Sequence, residues 1–180
     1  MIFTPTAIAG AFRVEQERHG DERGFFARTF CREEFEARGI RFQADQCSTS
    51  FNKRRGTLRG MHYQAPPHEE IKLVRCPRGG LFDVAVDLRP GSPTYGRYAA
   101  DTLSAENGVA LLVPAGCAHG FLTLADDTEI LYTVCGLYHP ESARGARWDD
   151  PLFSIAWPEK PRIISERDRN WPLLGAGLKA

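Results

Sequence analysis

Polar residues in a segment that otherwise looks like a buried strand are the first chemical signal in the sequence. Residues 58–64 read LRGMHYQ, so Arg59, His62 and Gln64 lie close together. Strand periodicity puts His62 and Gln64 on one face and Arg59 on the other. A bulge at Gly60 could turn Arg59 toward His62, since glycine within a strand often marks a bulge. Two interpretations stay open: a polar pocket inside a barrel, or a core histidine bonded to backbone groups.

Other apolar segments also carry isolated polar side chains. Lys72 lies within IKLVRC, and His119 follows small residues in PAGCAHGF. Tyr132 and Tyr138 are six residues apart and would share a face of a straight strand. Lys72 is either an edge lysine with its ammonium in solvent or a cation aimed at a bound anion. The tyrosines either anchor a hydroxyl to backbone or donate a proton to a developing enolate.

The segment FDVAVDLR, residues 82–89, alternates between apolar and acidic positions. Its even-numbered residues are all apolar, whereas Asp83 and Asp87 lie on the opposite face. This pattern is typical of a strand with one buried and one solvated face. We therefore predict that the two aspartates face solvent.

The distribution of apolar runs predicts an all-β protein. Runs such as IKLVRC, VALLVP and EILYTVCGLY alternate with turn clusters such as RPGSPTYG and SAENG. Short strands with this punctuation favour a sandwich or barrel. One helix is predicted at 31–38, CREEFEAR, with Gly39 ending it. The proline-rich segment after residue 148 is expected to wrap the surface, so residues 1–180 form one domain.

Composition excludes several classes of protein. The 180 residues have a net charge of zero, which argues against nucleic-acid binding. Five cysteines at wide spacings, without a CxxC motif, predict reduced thiols in the cytoplasm rather than disulfides or structural zinc. The N-terminal sequence does not resemble a signal peptide, and no apolar run is long enough to suggest a membrane span.

Taken together, the motifs resemble those of the dTDP-4-dehydrorhamnose 3,5-epimerase family over nearly the whole chain. The segments that carry the resemblance are DERGFFARTF (21–30), CSTSFNKRRGTLRGMHYQAPPHEEIKLV (47–74), GLFDVAVDLRPGSPTYG (80–96), LSAENG (103–108), VPAGCAHGFLTL (113–124), LYTVCGLYHP (131–140), WDDPLFSIAWP (148–158) and ISERDRNWPLL (164–174). The resemblance implies a cupin-like jelly-roll barrel with short peripheral helices. It also implies a homodimer that uses no metal and no cofactor.

The resemblance implies an epimerase that inverts C3, C5 or both of a nucleotide-linked 4-keto-6-deoxy hexose, with dTDP as the expected nucleotide. An epimerase acting at one carbon only on another nucleotide sugar stays open as an alternative. The ketone of the sugar acidifies the protons at C3 and C5. His62 resembles the base, a role that suits the ordinary pKa of histidine, about 6.5. Asp168 resembles the carboxylate that orients His62. Lys72, with help from Arg59, resembles the cradle for the enolate oxygen, and Tyr132 resembles the acid on the opposite face of the sugar ring.

The same resemblance implies a set of substrate contacts. His119 and Tyr138 would support the sugar pocket, and arginines would hold the diphosphate with forked donors. Arg23 and Phe26 would reach into the site of a partner subunit. The implied substrate-binding residues are Arg23, Phe26, Arg28, Gln46, Arg59, Gln64, His119, Tyr138 and Arg167.

Several positions depart from the family pattern. Arg28 replaces a glutamate that contacts the nucleotide base, and Ala44 and Gln46 replace glutamine and asparagine in QxNxSxS. Arg167 stands where lysine is common, so a cation is kept. These changes lie on the nucleotide side and leave the proposed catalytic residues intact.

Two other functions stay open. A metal-dependent cupin enzyme, a dioxygenase or sugar isomerase, could draw ligands from the candidates His62, His68, Glu69, Glu70 and His119. Such barrels usually begin their ligand set with HxH, and Gln64 breaks that pattern, so we expect no metal site. A non-catalytic barrel that binds nucleotide sugars is the third alternative, although it would be expected to lack a member of the catalytic set.

Overall fold

The computed structural model describes residues 1–175, whose regular structure consists mainly of short strands. The strands are β1 (Ile2–Pro5), β2 (Phe12–Glu15), β3 (Arg18–Asp21), β4 (Gly24–Ala27), β5 (Gln46–Asn52), β6 (Thr57–Gln64), β7 (Ile71–Arg78), β8 (Gly80–Asp87), β9 (Tyr98–Ser104), β10 (Ala110–Val113), β11 (Cys117–Thr123), β12 (Thr128–Cys135), β13 (Ala143–Gly145) and β14 (Ile163–Ile164). The helices are α1 (Arg32–Glu36) and α2 (Glu166–Arg169), and a 3₁₀ turn spans Pro140–Ser142. The predicted all-β class is confirmed. A single domain over 1–180 stays a prediction, and residues 176–180 lie outside the described part.

Two antiparallel sheets form a cupin-like jelly roll, as expected. The first sheet has the order β1-β2-β10-β7-β12-β5, and the second has the order β13-β6-β11-β8-β9, with β14 added in parallel to β6. The interior core contains residues from both sheets, for example Val74 and Ile130 from the first and Ala85 and Phe121 from the second. Strands β3 and β4 form a separate hairpin.

The prediction for the faces of β8 was wrong. Asp83 and Asp87 are fully buried and point into the barrel. The alternate residues Val84 and Val86 face outward, where the C-terminal segment covers them with Phe153. Alternation along a strand shows which residues share a face. Which of the two faces points into the barrel depends on where the C-terminal segment packs. The C-terminal segment does wrap the barrel, as expected.

The predicted bulge in β6 is confirmed by the strand register. His62 lies opposite His119, whereas Arg59 lies opposite Phe121, so β6 has one extra residue between these pairs. His119 and Phe121 share a face, and therefore their partners His62 and Arg59 do too. Gly60 has φ +128°, and a Cβ there would lie 2.5 Å from Gly120 Cα. Only glycine fits this close approach of β6 to β11.

The predicted helix at 31–38 is present but shorter, because α1 covers only Arg32–Glu36. Gly39 has φ +74°, and its N–H bonds to the Glu36 carbonyl, which confirms its role in ending the helix. The described residues include all five cysteines, and each is a free thiol. Within residues 1–175, no helix has the length and apolarity needed to cross a bilayer.

Candidate active site

A cavity of about 270 Å³ opens beside β6 and is lined by two of the four predicted catalytic residues, His62 and Lys72. Its lining residues are His62, Tyr63, Gln64, Glu70, Lys72, Tyr138, Ala143, Arg144 and Arg167. Larger depressions lie beside α1 and behind the β3–β4 hairpin, with volumes of about 920 and 400 Å³. None of His62, Lys72 and Arg167 lines either one, so the chemistry points to the smaller cavity.

His62 and Asp168 form a close pair although 106 residues separate them in the sequence. His62 Nε2 lies 2.6 Å from Asp168 Oδ1. The carboxylate is nearly buried, with 6% of its side chain exposed, whereas 43% of the imidazole is exposed toward the cavity. An ionised carboxylate accepts the proton of Nε2, which leaves Nδ1 as the nitrogen that can take up a proton.

Helix α2 and its flanking residues hold Asp168 in position. Ser165 caps the helix, since its Oγ accepts the Asp168 N–H at 3.0 Å. Trp171 Nε1 donates to Asp168 Oδ1 at 3.2 Å, and the Gly60 N–H donates to Oδ2 at 3.4 Å. Burial opposes ionisation of Asp168, but the hydrogen bonds, led by that of His62, outweigh it and lower the pKa of the carboxyl. The group is therefore a carboxylate at neutral pH.

A second histidine–aspartate pair lies deeper in the barrel. His119 Nε2 lies 2.7 Å from Asp83 Oδ1, and both side chains are buried. Burial raises the pKa of Asp83, against the opposing effects of His119 and Lys72. The ring of Tyr132 meets His119 edge to face, with centroids 5.9 Å apart. Burial also raises the pKa of Tyr132, so its phenol keeps its proton at neutral pH.

Lys72 has a carboxylate partner that the sequence analysis did not assign. Its Nζ lies 2.9 Å from Glu70 Oε1, and both side chains are only 14% exposed. Lys72 lies on β7 and Tyr132 on the adjacent β12, both in the first sheet. His62 lies on β6 in the second sheet. The cavity is therefore bounded by a cationic group from one sheet and an imidazole from the other, whereas Tyr132 packs deeper, against the interior core, and is not among the lining residues.

Gln64 fixes the rim of the cavity through backbone contacts. Its Nε2 donates to the carbonyls of His68 and Leu137 at 2.9 Å each, and its Oε1 accepts the His139 N–H at 2.6 Å. Tyr138 lies between the two bonded residues of this turn, beyond the end of β12, and is 58% exposed. Gln64 therefore holds the turn that presents Tyr138 to the cavity.

Three further predicted residues, Arg167, Arg59 and Gln46, lie on or next to the strands of the barrel. Arg167 lines the cavity with its guanidinium 5.0 Å from the Trp171 ring centre. Arg59 donates to Asn52 Oδ1 at 2.8 Å and lies close enough to Tyr132 to affect the pKa of the phenol. Gln46 is on the edge strand β5 and bonds the Gly136 carbonyl at 2.8 Å.

The hairpin residues do not join the cavity within one chain. Arg23 is 84% exposed and pairs with its neighbour Asp21. Phe26 is 74% exposed, and Arg28 lies 3.4 Å from Glu34. The structure therefore brings His62, Gln64, Lys72, Tyr138 and Arg167 to one cavity and leaves Arg23, Phe26 and Arg28 at the surface.

Three residues of the site were missed or misplaced by sequence reasoning. Asp83 was expected in solvent, Glu70 was considered only as a metal ligand, and Trp171 was not singled out. Their contacts depend on neighbours from other strands, or on a short helix far along the chain. Only the two-residue spacing of Glu70 and Lys72, which puts them on one face of a strand, was a usable signal.

Comparisons with known proteins show what the whole chain is similar to. The family model for dTDP-4-dehydrorhamnose 3,5-epimerase matches residues 5–176. The enzyme of that name from Sinorhizobium fredii is 45% identical over 97% of this chain and 90% of its own length. A dTDP-6-deoxy-D-glucose-3,5-epimerase from Legionella pneumophila, solved with dTDP-4-keto-L-rhamnose, has a TM-score of 0.90 at 37% identity and covers 97% of this chain and 93% of its own.

A 3'-monoepimerase from Streptomyces bikiniensis, solved with dTDP-quinovose, is similar as well. It has a TM-score of 0.86 at 37% identity and covers 95% of this chain and 87% of its own. Similarity thus extends to proteins described as acting at two carbons and at one. The chain belongs to the dTDP-4-dehydrorhamnose 3,5-epimerase family of isomerases.

Proposed function

We propose that this protein inverts C3, C5 or both of a dTDP-linked 4-keto-6-deoxy hexose by proton transfer through an enolate. Family membership supports the substrate class. The observation that carries the mechanism is the 2.6 Å contact between His62 and Asp168 at the wall of a cavity that also contains Lys72. A base, its carboxylate and a cation within one cavity are what proton abstraction beside a ketone requires.

In the proposed reaction, His62 removes the proton next to the ketone. Asp168 accepts the proton on Nε2, so that Nδ1 faces the substrate as the basic nitrogen, and it stabilises the imidazolium that forms. The buried carboxylate therefore fixes both the orientation and the tautomer of the proposed base.

The enolate oxygen is stabilised by Lys72, whose ammonium lies in the cavity wall and is mostly shielded from water. Tyr132 then returns a proton from the opposite sheet, and its raised pKa keeps that proton available. Because His62 and Tyr132 come from facing sheets, a sugar ring between them would lose and regain protons on opposite faces. Inversion of configuration follows from that arrangement.

We propose that arginines bind the diphosphate. Arg167 lines the cavity, and Arg59 shares the face of His62 through the bulge. Arg28, Ala44 and Gln46 would adapt the nucleotide side of the site, because they replace the family's usual residues there.

We further propose that the protein is a cytoplasmic homodimer whose β3–β4 hairpin completes the partner's site. The hairpin exposes Phe25 and Phe26 to solvent by 56% and 74%. Arg23 at its turn contacts only a neighbouring side chain on the same hairpin among the described residues. Burial of these rings against a second subunit would remove their apolar surface from water. Five free thiols are typical of a reducing compartment.

The donor geometry gives no support to a metal-dependent cupin reaction. The Nε2 atoms of His62 and His119 each face a carboxylate, that of Asp168 and Asp83 respectively. Neither histidine belongs to a group of three candidate ligands among the described residues.

Proton exchange in heavy water tests the proposed reaction. With dTDP-4-keto-6-deoxyglucose, we expect deuterium to enter at C3, C5 or both, as read by NMR at each carbon. His62→Ala should slow this incorporation by roughly two to four orders of magnitude. CDP- and GDP-linked substrates form the comparison for nucleotide preference. Absence of exchange with all three nucleotides would reject the proposal.

Tyr132→Phe tests the assignment of the acid. This variant should reduce the rate of product formation more than it reduces the rate at which the proton next to the ketone is removed, because only reprotonation needs the phenol. Equal loss of both rates would contradict the role of Tyr132 as the acid.

A further inference from the structure

Two histidines and a glutamate meet at the rim of the barrel, outside the proposed active site. His68 lies in the loop between β6 and β7, and His139 and Glu141 lie in the turn that follows β12. The two imidazole rings stack with centroids 3.6 Å apart and an interplanar angle of 14°. His139 Nδ1 lies 3.1 Å from Glu141 Oε1.

These three side chains offer donor atoms suited to a metal ion. One nitrogen from each histidine and one carboxylate oxygen all lie within 4.8 Å of one another. Among residues 1–175, this is the only such group of three or more candidate ligands. Two imidazoles with one carboxylate suit a borderline cation such as Zn²⁺ better than Mg²⁺ or Ca²⁺, which prefer oxygen ligands.

Hydrogen bonds from Gln64 and Ala65 hold the backbone segments that carry these three side chains. Buried Gln64 bonds the carbonyl of His68 and the N–H of His139, one residue on each side of the cluster. The Ala65 N–H also bonds the Ser142 carbonyl at 2.9 Å, which joins the same two segments again. Both ligand-bearing segments are therefore positioned before any ion arrives, which lowers the entropy lost on binding.

We propose that His68, His139 and Glu141 bind one Zn²⁺ ion, which clamps the loop of residues 65–70 to the turn of residues 136–141. Tyr138 and Glu70 lie on these two segments and line the cavity. The ion would thus reinforce the rim next to the active site. The binding itself does not depend on the proposed reaction.

Binding requires a small rearrangement of side chains. Zinc lies about 2 Å from each donor, so tetrahedral donors are about 3.4 Å apart. The rings are nearly parallel, whereas a shared ion must lie close to the plane of each ring. One imidazole therefore has to turn out of the stack. His139 is 33% exposed and Glu141 is 67% exposed, so solvent leaves room for this movement.

Titration calorimetry of the untagged protein with zinc chloride tests the proposal. We expect one ion per chain. In both His68→Ala and His139→Ala, the affinity for zinc should fall by about 100-fold. His19→Ala is the matched control, because it removes a histidine from the distant hairpin and should leave the affinity unchanged. His62→Ala should likewise keep the stoichiometry, which separates this site from the barrel interior. Magnesium chloride should give no heat of binding.

Two results would overturn the proposal. One is the absence of stoichiometric zinc binding to the wild-type chain, and the other is unchanged affinity in both His68→Ala and His139→Ala. NMR gives a readout independent of affinity, since zinc should shift the imidazole signals of His68 and His139 and leave that of His119 in place. Shifts confined to His62 and His119 would assign the ion to the barrel interior and reject the rim site.

Discussion

At the scale of single residues, the proposed base His62 depends on the buried carboxylate of Asp168. Asp168 is buried, accepts from Trp171 and lies 2.6 Å from the imidazole of His62. Its lowered pKa results from these donors, chiefly His62, which outweigh the effect of burial. The carboxylate therefore sets the proton position on an imidazole that is itself open to the cavity.

Asp168→Asn tests this dependence. The amide keeps the size of the side chain but lacks the charge that stabilises the imidazolium, so we expect kcat to fall about 10²- to 10⁴-fold. KM should change little, because the substrate contacts remain. Steady-state kinetics of the purified variant measure both constants.

The matched control is Asp149→Asn, which changes a surface aspartate paired with Arg147. It should leave kcat within about twofold of the wild-type value, as expected for a surface substitution. A wild-type kcat in Asp168→Asn, with unfolding midpoints showing both variants folded, would contradict the positioning role.

At the scale of elements, the bulge in β6 is what puts Arg59 on the face of His62. The bulge needs Gly60, because a Cβ there would contact Gly120 Cα at 2.5 Å and the His119 carbonyl oxygen at 3.0 Å. These are backbone atoms of β11, which cannot move without disturbing the central pair of strands.

Gly60→Ala should therefore destabilise the protein by a steric clash as well as by an unfavourable φ. Gly24 is a useful control, since its φ of +129° matches the +128° of Gly60 but no atom lies within 4 Å of a Cβ added there. We expect urea denaturation to show a free energy of unfolding lower by about 2 kcal/mol in Gly60→Ala than in Gly24→Ala. Equal values would mean that φ alone, and not the contact with β11, explains the need for glycine.

Strand β8 shows why sequence patterns predicted the elements better than their orientation. The alternation correctly separated Asp83 and Asp87 from Val84 and Val86. Which set faces the barrel depends on the C-terminal segment, whose Phe153 covers the outer valines. That contact joins residues about 70 positions apart in the chain, so the local pattern carries no information about it. The bulge at Gly60, by contrast, is a local feature and was predictable.

Asp87 at the end of β8 gives the fold a dependence on pH. Burial opposes its ionisation, but hydrogen bonds from Arg89, Ser92 and Thr94 outweigh this effect and lower its pKa well below the ordinary value. A carboxyl with a lowered folded-state pKa stabilises the fold at pH above its unfolded pKa of about 4. That stabilisation is lost as the pH falls toward the folded-state pKa.

We expect Asp87→Asn to lower the free energy of unfolding by about 3 kcal/mol at pH 7, as for a broken buried ion pair. The difference from wild type should persist down to about pH 4 and shrink below it. Urea titrations from pH 7 to pH 3 measure it. A difference that stays constant over this range would show that the charge of Asp87 is not the source of the stabilisation.

At the scale of the whole molecule, the site combines distant parts of the chain. The proposed base His62 and its partner Asp168 are 106 residues apart, and no local pattern connects them. Asp168 was identified through resemblance to a family, whereas the polar strand around His62 was evident from residue types alone. Glu70 and Trp171 were not predicted, because their roles follow from packing between segments.

The exposed hairpin extends this reasoning to two subunits. Arg23 and Phe26 do not line the cavity of their own chain, so under the proposed dimer they would contribute to the cavity of the partner subunit. If the hairpin acts across a two-fold dimer, then mixing His62→Ala with Arg23→Ala restores one intact site in each mixed dimer. Each single variant alone has none.

Random exchange of subunits should therefore restore about a quarter of the wild-type sites, because half of the dimers are mixed and half of their sites are intact. The variants are unfolded and refolded together, and activity is compared with that of each variant treated alone. Native mass spectrometry of the mixture measures the fraction of mixed dimers. Wild type mixed with His62→Ala in the same way should keep about half of the wild-type activity at any degree of exchange, which controls for recovery after refolding. Activity that never exceeds the average of the separate variants, despite efficient exchange, would place the hairpin in its own chain's site or outside any site.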